Sequence, residues 1–451
     1  MGLIHRFIFV LSALLLSFAV LLVPRQGAAG ELEDKARAYD RFYVKHNSPG
    51  LGGAVEVIFK DRDLSRPLYY DGQGDSTIHT AMYLASQAFR YAATGEKEAK
   101  QNAKRAAKAL HHHLRVTGKP GYIARYAGPN KQPYYDPTDG PCSEVKRCHL
   151  VEGGTYDGHY WLSDTSRDQY DGWFFGNAIA YDLIDDENLR RQIRADMKEV
   201  IDYLETTGFI IRDEKGRMTG AGDAWYIPGF RMAWTLCAAS VIDGPYYWKL
   251  YEKQARAFMP LVGLELFETP AHNLYDYYAL MFYHRTGYNI SRLETSKARR
   301  KFYVNSFETF VRPHTKDIDN VFFDYVFLSM KENPSAHVLE QDRKALALFP
   351  GPPNRHLVPP GSEKYAGPYS RFKEGICSAK IDGKRLCSPE LRSLKPVPLN
   401  MRCPTDFVWQ RSPYRVCPKH AKDKPRKVYP GIDYLLAYWM GRYHGFLGPD
   451  D

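Results

Sequence analysis

The sequence predicts an all-α chain of helical hairpins interrupted by one Pro/Cys-rich irregular excursion, and three observations carry that expectation. Long stretches free of Gly and Pro stop repeatedly at Thr-Gly, at 94–95, 117–118, 207–208 and 286–287, the residue pair expected where a helix ends in a left-handed glycine. Two of these stops lie in a longer repeated pattern: Leu114-Arg-Val-Thr-Gly118 leads to Ile123-Ala-Arg125, and Leu204-Glu-Thr-Thr-Gly208 leads to Ile210-Ile-Arg212. Finally, 14 of the 29 Pro and 4 of the 7 Cys fall between Pro350 and Pro430, a stretch with little periodicity.

Taken in order, the chain opens with a basic start at His5 and Arg6, an apolar run from Phe7 to Val23, and the small residues Gly27 to Gly30. This reads as a signal peptide over residues 1–29, with an uncleaved membrane anchor as the competing reading. Residues 30–76 read as an irregular lead-in with one strand, Ala54 to Phe59. Helices are then expected at Thr77–Ala93, Glu96–Val116, Asp168–Ile184, Glu187–Thr206, Gly229–Val241, Tyr246–Ala257, His272–Arg285, Arg292–Val311 and Asn320–Ser329, so a helical region spans 77–345. The excursion occupies 346–430, and an apolar helix within 431–451 closes the array.

Charge and cysteines set the context. The full chain carries 62 Lys+Arg and 52 Asp+Glu; loss of Arg6 and Arg25 with the leader leaves 60 against 52, a net charge of +8. That excess favours an acidic partner over a neutral one, while no basic run is dense enough for a nucleic-acid patch. A secreted or periplasmic location implies disulfides, and six Cys form three close pairs: Cys142 with Cys148, Cys377 with Cys387, and Cys403 with Cys417. Cys237 lies in an apolar helical stretch and reads as a buried free thiol.

Candidate functional residues stand where helical spacing gathers polar groups. His79, Tyr83, Gln87 and Arg90 share one face of the first long helix. Asp164, Asp168 and Asp171 follow steps of four and three, which would align three carboxylates on one stripe, rimmed by Trp161, Arg167, Tyr170 and Trp173. Helix capping at Thr165 accounts for one or two of those carboxylates and is the competing explanation. Asp223 and Trp225 lie on the Gly-rich segment Thr219-Gly-Ala-Gly-Asp-Ala-Trp-Tyr226, which also reads as a turn with an Asp cap. His272 and Asp276 share a helical face beside Tyr277, with a helix-start pair as the plainer account. Weaker sets are Asn320 with Asp324, Asp406 with Trp409 and Arg411, and Asp433 with Arg442 and His444. No metal site is expected: His111, His112 and His113 are successive on a helix and point about 100° apart. No phosphate loop, zinc-protease helix or nucleophile elbow is present, and no cofactor is expected.

Hairpins punctuated by Thr-Gly, polar and aromatic inner faces and an export signal together resemble the (α/α) toroid of carbohydrate-active proteins, the six-hairpin glycosidases and toroid polysaccharide lyases. The resemblance covers roughly 77–345 and 431–445 as an architecture and matches no single family's catalytic motif. It implies an exported enzyme acting in a central cleft on an oligo- or polysaccharide, anionic ones included. A glycoside hydrolase would draw its acid and base from Asp168, Asp171, Asp164 and Asp223. A lyase acting on uronates would use Tyr277 or His272 as base, and a non-catalytic glycan- or partner-binding envelope protein is the third expectation.

Overall fold

The computed structural model describes residues 30–138, 142, 147–267, 277–362, 379–381, 384–386, 396–402, 413 and 422–451. The chain is mostly helical. The helices are α1 (Glu31–Phe42), α2 (Ser76–Thr94), α3 (Lys97–Arg115), α4 (Arg167–Leu183), α5 (Glu187–Thr206), α6 (Pro228–Ile242), α7 (Pro245–Phe267), α8 (Ala279–Leu293), α9 (Lys297–Ser306), the short α10 (Arg312–Thr315), α11 (Val321–Ser329), α12 (Ala336–Leu348) and α13 (Ile432–Tyr443).

Strands correct the all-α expectation. β1 (Glu56–Phe59), β2 (Pro67–Asp71), β8 (Asn354–His356) and β11 (Lys424–Tyr429) form one antiparallel sheet in the order β2-β1-β11-β8. Residues of the excursion thereby pair with the N-terminal part of the chain, with Val57 opposite Val428. A second sheet orders β3 (Tyr126–Pro129), β5 (His159–Leu162) and β4 (Cys148–Leu150); β6 (Ile210–Arg212) pairs with β7 (Met218–Asp223), and β9 (Ala379–Ile381) with β10 (Lys384–Leu386).

Helix packing follows a closed circuit. α2 packs on α4, α4 on α6, α6 on α8, α8 on α11, α11 on α13, and α13 back on α2. Each ring helix is backed by an outer helix: α3, α5, α7, α9 and α12 follow α2, α4, α6, α8 and α11 in the chain, and α1, from the other end of the chain, backs α13. Cross-ring contacts match early residues with early ones, as Ile78 meets Gln169 and Asp171 meets Arg285 and Trp234. Late residues meet late ones, as Phe89 packs on Tyr288 and Tyr443. The ring helices therefore run parallel, with their first turns gathered at one end. The ring's middle is filled by aromatic packing, Phe175 against Tyr288 and Phe322. The closest crossing uses a glycine: a Cβ on Gly176 of α4 would lie 2.2 Å from the Ala81 carbonyl oxygen of α2.

Four local expectations are corrected. Residues 31–42 are helical, because Leu32, Ala36 and Tyr39 recur at steps of four and three and bury one face. α7 runs on through Pro260 to Phe267 instead of ending near Ala257. Thr286-Gly287 does not stop α8; Gly287 sits inside the helix, where a Cβ would press within 3.3 Å of Phe307, Tyr303 and Met330. α12 occupies 336–348, across the boundary set at 345, in a stretch where no helix was expected. By contrast, Gly95 and Gly208 take positive φ of 69° and 66° as helix terminators should.

Among the described residues, Cys142 is bonded to Cys148, and Cys237 is buried and unpaired. Cys377, Cys387, Cys403 and Cys417 lie outside the described residues, as do the leader at 1–29, His272, Asp276, Asp406, Trp409 and Arg411. No described helix is long and apolar enough to cross a membrane.

Candidate functional site

The predicted carboxylate stripe divides into three different environments. β5 ends at Leu162 because it pairs with both β3 and β4, so Asp164 falls in a turn ahead of α4 with a positive φ of 52°. The three-carboxylate helix face is thus corrected: only Asp168 and Asp171 lie on α4, with Ser166 as its N-cap.

Asp171 is a core residue. It is buried at 2% exposure, accepts Arg285 Nε at 2.6 Å and faces Trp234 Nε1 at 3.5 Å. Burial pushes its carboxyl up to about 6, against the pull of the Arg285 guanidinium. Arg285, itself buried on α8, also meets the Met82 sulfur of α2 at 3.9 Å. Asp171 therefore ties α4, α6, α8 and α2 together on the ring axis and is withdrawn from the catalytic candidates.

The polar face on α2 resolves in the same way. Gln87 Nε2 and Arg90 Nη1 donate to buried Asp40 of α1 at 2.7 Å and 3.1 Å, and Arg90 lies over the Trp439 ring at 5.3 Å. Tyr83 stacks on Tyr43 with centroids 3.8 Å apart, and His79 is buried. Burial raises Asp40 to about 6. This face joins α1 to the ring.

Four other substrate-contact candidates are structural as well. Tyr170 is buried and donates its hydroxyl to the Gly121 carbonyl at 2.8 Å. Trp173 is buried against Phe174, and Trp161 is buried and stacks on His149 with centroids 4.1 Å apart. Tyr277 is buried and accepts Asn320 Nδ2 at 2.9 Å.

What remains converges at the end of the ring where the helices begin. Asp168 stands in the first turn of α4, three residues and so ~4.5 Å of helix rise above Asp171. It is half-buried, with no hydrogen bond or ion pair among the described residues. Beside it, Arg167 forms an ion pair with Asp223 at the end of β7, and Asp223 also accepts the Tyr226 hydroxyl at 3.0 Å. Asp164 accepts the Gly220 amide at 2.9 Å and pairs with exposed Arg147 at 3.0 Å, so it clasps the β6–β7 hairpin against the start of α4. Arg125 binds the same turn through the Asp164 carbonyl at 2.7 Å and Ser166 Oγ at 2.9 Å, and reaches the Gly74 carbonyl beside α2. Over this polar floor Trp225 and Tyr226 are 51% and 49% exposed, packed edge-on with centroids 5.4 Å apart.

Sequence reasoning singled out neither Arg147, nor Tyr226 as a functional group, nor Glu265, whose carboxylate takes the Gly229 amide at 2.7 Å at the start of α6. Arg125 was visible only as the end of a repeated apolar-Arg segment. The three arginines 125, 147 and 167 face four carboxylates, Asp75, Asp164, Asp168 and Asp223, so this mouth is close to neutral with one negative charge in excess. No group of three or more metal-ligating side chains occurs among the described residues. Comparison with known proteins gave no match: no family model fits the chain, and no curated protein or solved structure is similar to it.

Proposed function

We infer that this chain is an exported glycan-degrading enzyme, a glycoside hydrolase of (α/α) toroid architecture whose site is the mouth formed at the first turns of α2, α4 and α6. The closed circuit of six parallel helices, each backed by an outer helix, supports the toroid reading. The observation that carries the function is that Asp223 and Asp164 are held at the start of α4 beside Asp168, with Trp225 and Tyr226 exposed next to them.

The chemistry follows from how each carboxylate is held. Among the described residues no hydrogen bond or ion pair occupies Asp168, so it is the carboxylate we assign to proton exchange with the glycosidic oxygen or with water. Asp223 comes from another segment, which leaves room for a sugar between the two. Arg167 and Tyr226 fix its orientation, and it supplies the second carboxylate. Trp225 offers an apolar ring face for a sugar and Tyr226 a ring with a polar tip. Asp164 is a positioning residue that holds the hairpin carrying these groups.

Hydrolysis is preferred to elimination on two counts. The near-neutral mouth has no uncompensated arginine to hold a uronate carboxylate. Burial and its bond to Asp223 raise the Tyr226 phenol, which opposes its use as a base, and Tyr277 is buried in a bond to Asn320. A panel of neutral and uronate-containing polysaccharides tests this: new reducing ends from a neutral glycan, with no ultraviolet-absorbing unsaturated product, are expected. Trp225→Ala should raise KM about tenfold, the loss of one stacking contact. An unsaturated product would turn the assignment to a lyase, and glycan binding without any cleavage would turn it to a binding protein.

A further inference from the structure

The chain's positive charge is segregated. Between Pro350 and Pro430 there are 17 Lys+Arg and 6 Asp+Glu, a net charge of +11, whereas the whole chain carries +10. Everything outside that stretch therefore sums to −1. The mouth at α4 shares this near-neutrality, so the basic excess serves something other than that site.

The described part of the excursion places some of this charge on a built surface. β11 carries Lys424 and Arg426 two residues apart, on one side of the strand and exposed. Arg426 donates to the Lys60 carbonyl at 2.9 Å, and Arg355 of β8 donates to the Arg62 carbonyl at 2.8 Å. The exposed side chains of Lys60 and Arg62, after β1, are thus drawn to the same corner of the sheet as Lys424 and Arg426, with Lys422 adjacent in the chain. Asp61, Asp63 and Asp423 lie among them; Asp61 pairs with Arg66, and Asp423 accepts the Val358 amide. Lys427, on the opposite side of β11, is neutralised by Glu56 and Asp71 and adds nothing to the patch. β11 leads into α13 and β8 follows α12 in the chain, whereas the mouth is built on the starts of α2, α4 and α6, and no hydrogen bond or ion pair joins the corner to the mouth among the described residues.

We propose that the Lys60, Arg62, Lys424 and Arg426 corner is a second, non-catalytic surface that holds an anionic polysaccharide, keeping the enzyme on an acidic matrix while the near-neutral mouth acts on another chain or segment. Charge complementarity selects a polyanion. The composition of the corner favours a polysaccharide over a membrane: among the described residues its exposed side chains are charged, and Leu357 after β8, 45% exposed, is too little for peripheral membrane binding, which needs buried apolar area besides charge. Among the described residues it also shows no exposed aromatic platform on which single-stranded nucleic acid would stack. The choice of a glycan rests on the reading given under the proposed function.

The experiment uses the full secreted chain, with polygalacturonate as probe and vesicles of mixed neutral and anionic phospholipid as comparison. Binding is expected at low salt, weakening steeply as sodium chloride rises toward 0.5 M, where charges more than ~4 Å apart are screened. The variant K60Q/R62Q/K424Q/R426Q, all exposed sites, should lose about tenfold or more in affinity while its unfolding midpoint and any cleavage of a soluble neutral glycan stay unchanged. Equal binding by variant and wild type, no polygalacturonate binding by wild type, or binding to the vesicles alone would each overturn the proposal. If polygalacturonate binds as expected and no glycan is ever cleaved, the surface stands and the hydrolase reading falls.

Discussion

Two aspartates on one helix, three residues apart, do opposite work. Asp171 faces the packed ring axis and is locked to Arg285, whereas Asp168, one turn nearer the helix start, is half-buried and bonded to none of the described residues. The same contrast separates the interior pairs Asp40–Arg90 and Asp171–Arg285 from the rim pairs Asp223–Arg167 and Asp164–Arg147. Chemistry-bearing residue types are therefore no guide to function in this chain until the direction of each side chain is known. Burial converts a candidate catalytic carboxylate into a tie between helices.

The largest effect expected from breaking this contrast is on stability. Asp171→Ala leaves Arg285 buried without its counter-charge and should cost about 3–5 kcal/mol in denaturant unfolding. A loss under 1 kcal/mol would mean that the interior pair is no tie. Next in size, Gly176→Ala drives a methyl into the Ala81 carbonyl and should cost about 1–3 kcal/mol through separation of α2 from α4.

A third prediction concerns pH. Burial lowers His112, His113 and His284 to about 3, below the usual histidine value of ~6.5. A depressed folded-state value gives stability that is complete above pH ~6.5 and is lost as pH falls toward 3. Asp40 and Asp171, raised to about 6, run the other way: their contribution is complete below pH ~4 and is lost as pH rises through 6. The unfolding midpoint of His284→Gln, compared with wild type from pH 7 to pH 4, should fall less steeply; parallel curves would remove His284 from this account. The smallest effect belongs to the rim: Arg147→Ala breaks a pair whose arginine is 66% exposed, and should change stability by no more than about 1 kcal/mol.

Much of the helical frame was legible because local signals agreed with the fold. Glu187–Thr206 coincides with α5, and the Thr-Gly stops at Gly95 and Gly208 end helices. The fourth stop misled because a glycine has two uses: Gly287 lets α8 approach Tyr303 and Phe307 closely, and only tertiary packing distinguishes that from a terminator. The stripe through Asp164 failed for a related reason. A helical period extends through Tyr160–Leu162, yet those residues pair with strands 126–129 and 148–150, which no periodicity within the segment reveals. Of the residues gathered at the mouth, Asp168, Asp223, Asp164, Arg167 and Trp225 were candidates on the sequence alone. The sequence could not separate Asp168 from Asp171, since the deciding partner, Arg285, lies 114 residues away.

The central claim is that Asp168 acts at the mouth while Asp171 holds the ring, and one paired measurement tests it directly: turnover of a cleaved glycan together with the unfolding midpoint for Asp168→Asn. The account predicts a fall in kcat of at least about a hundredfold, the share of one general acid or base, with an unchanged midpoint. Full turnover in Asp168→Asn would contradict it, as would a loss of activity that merely follows a loss of fold.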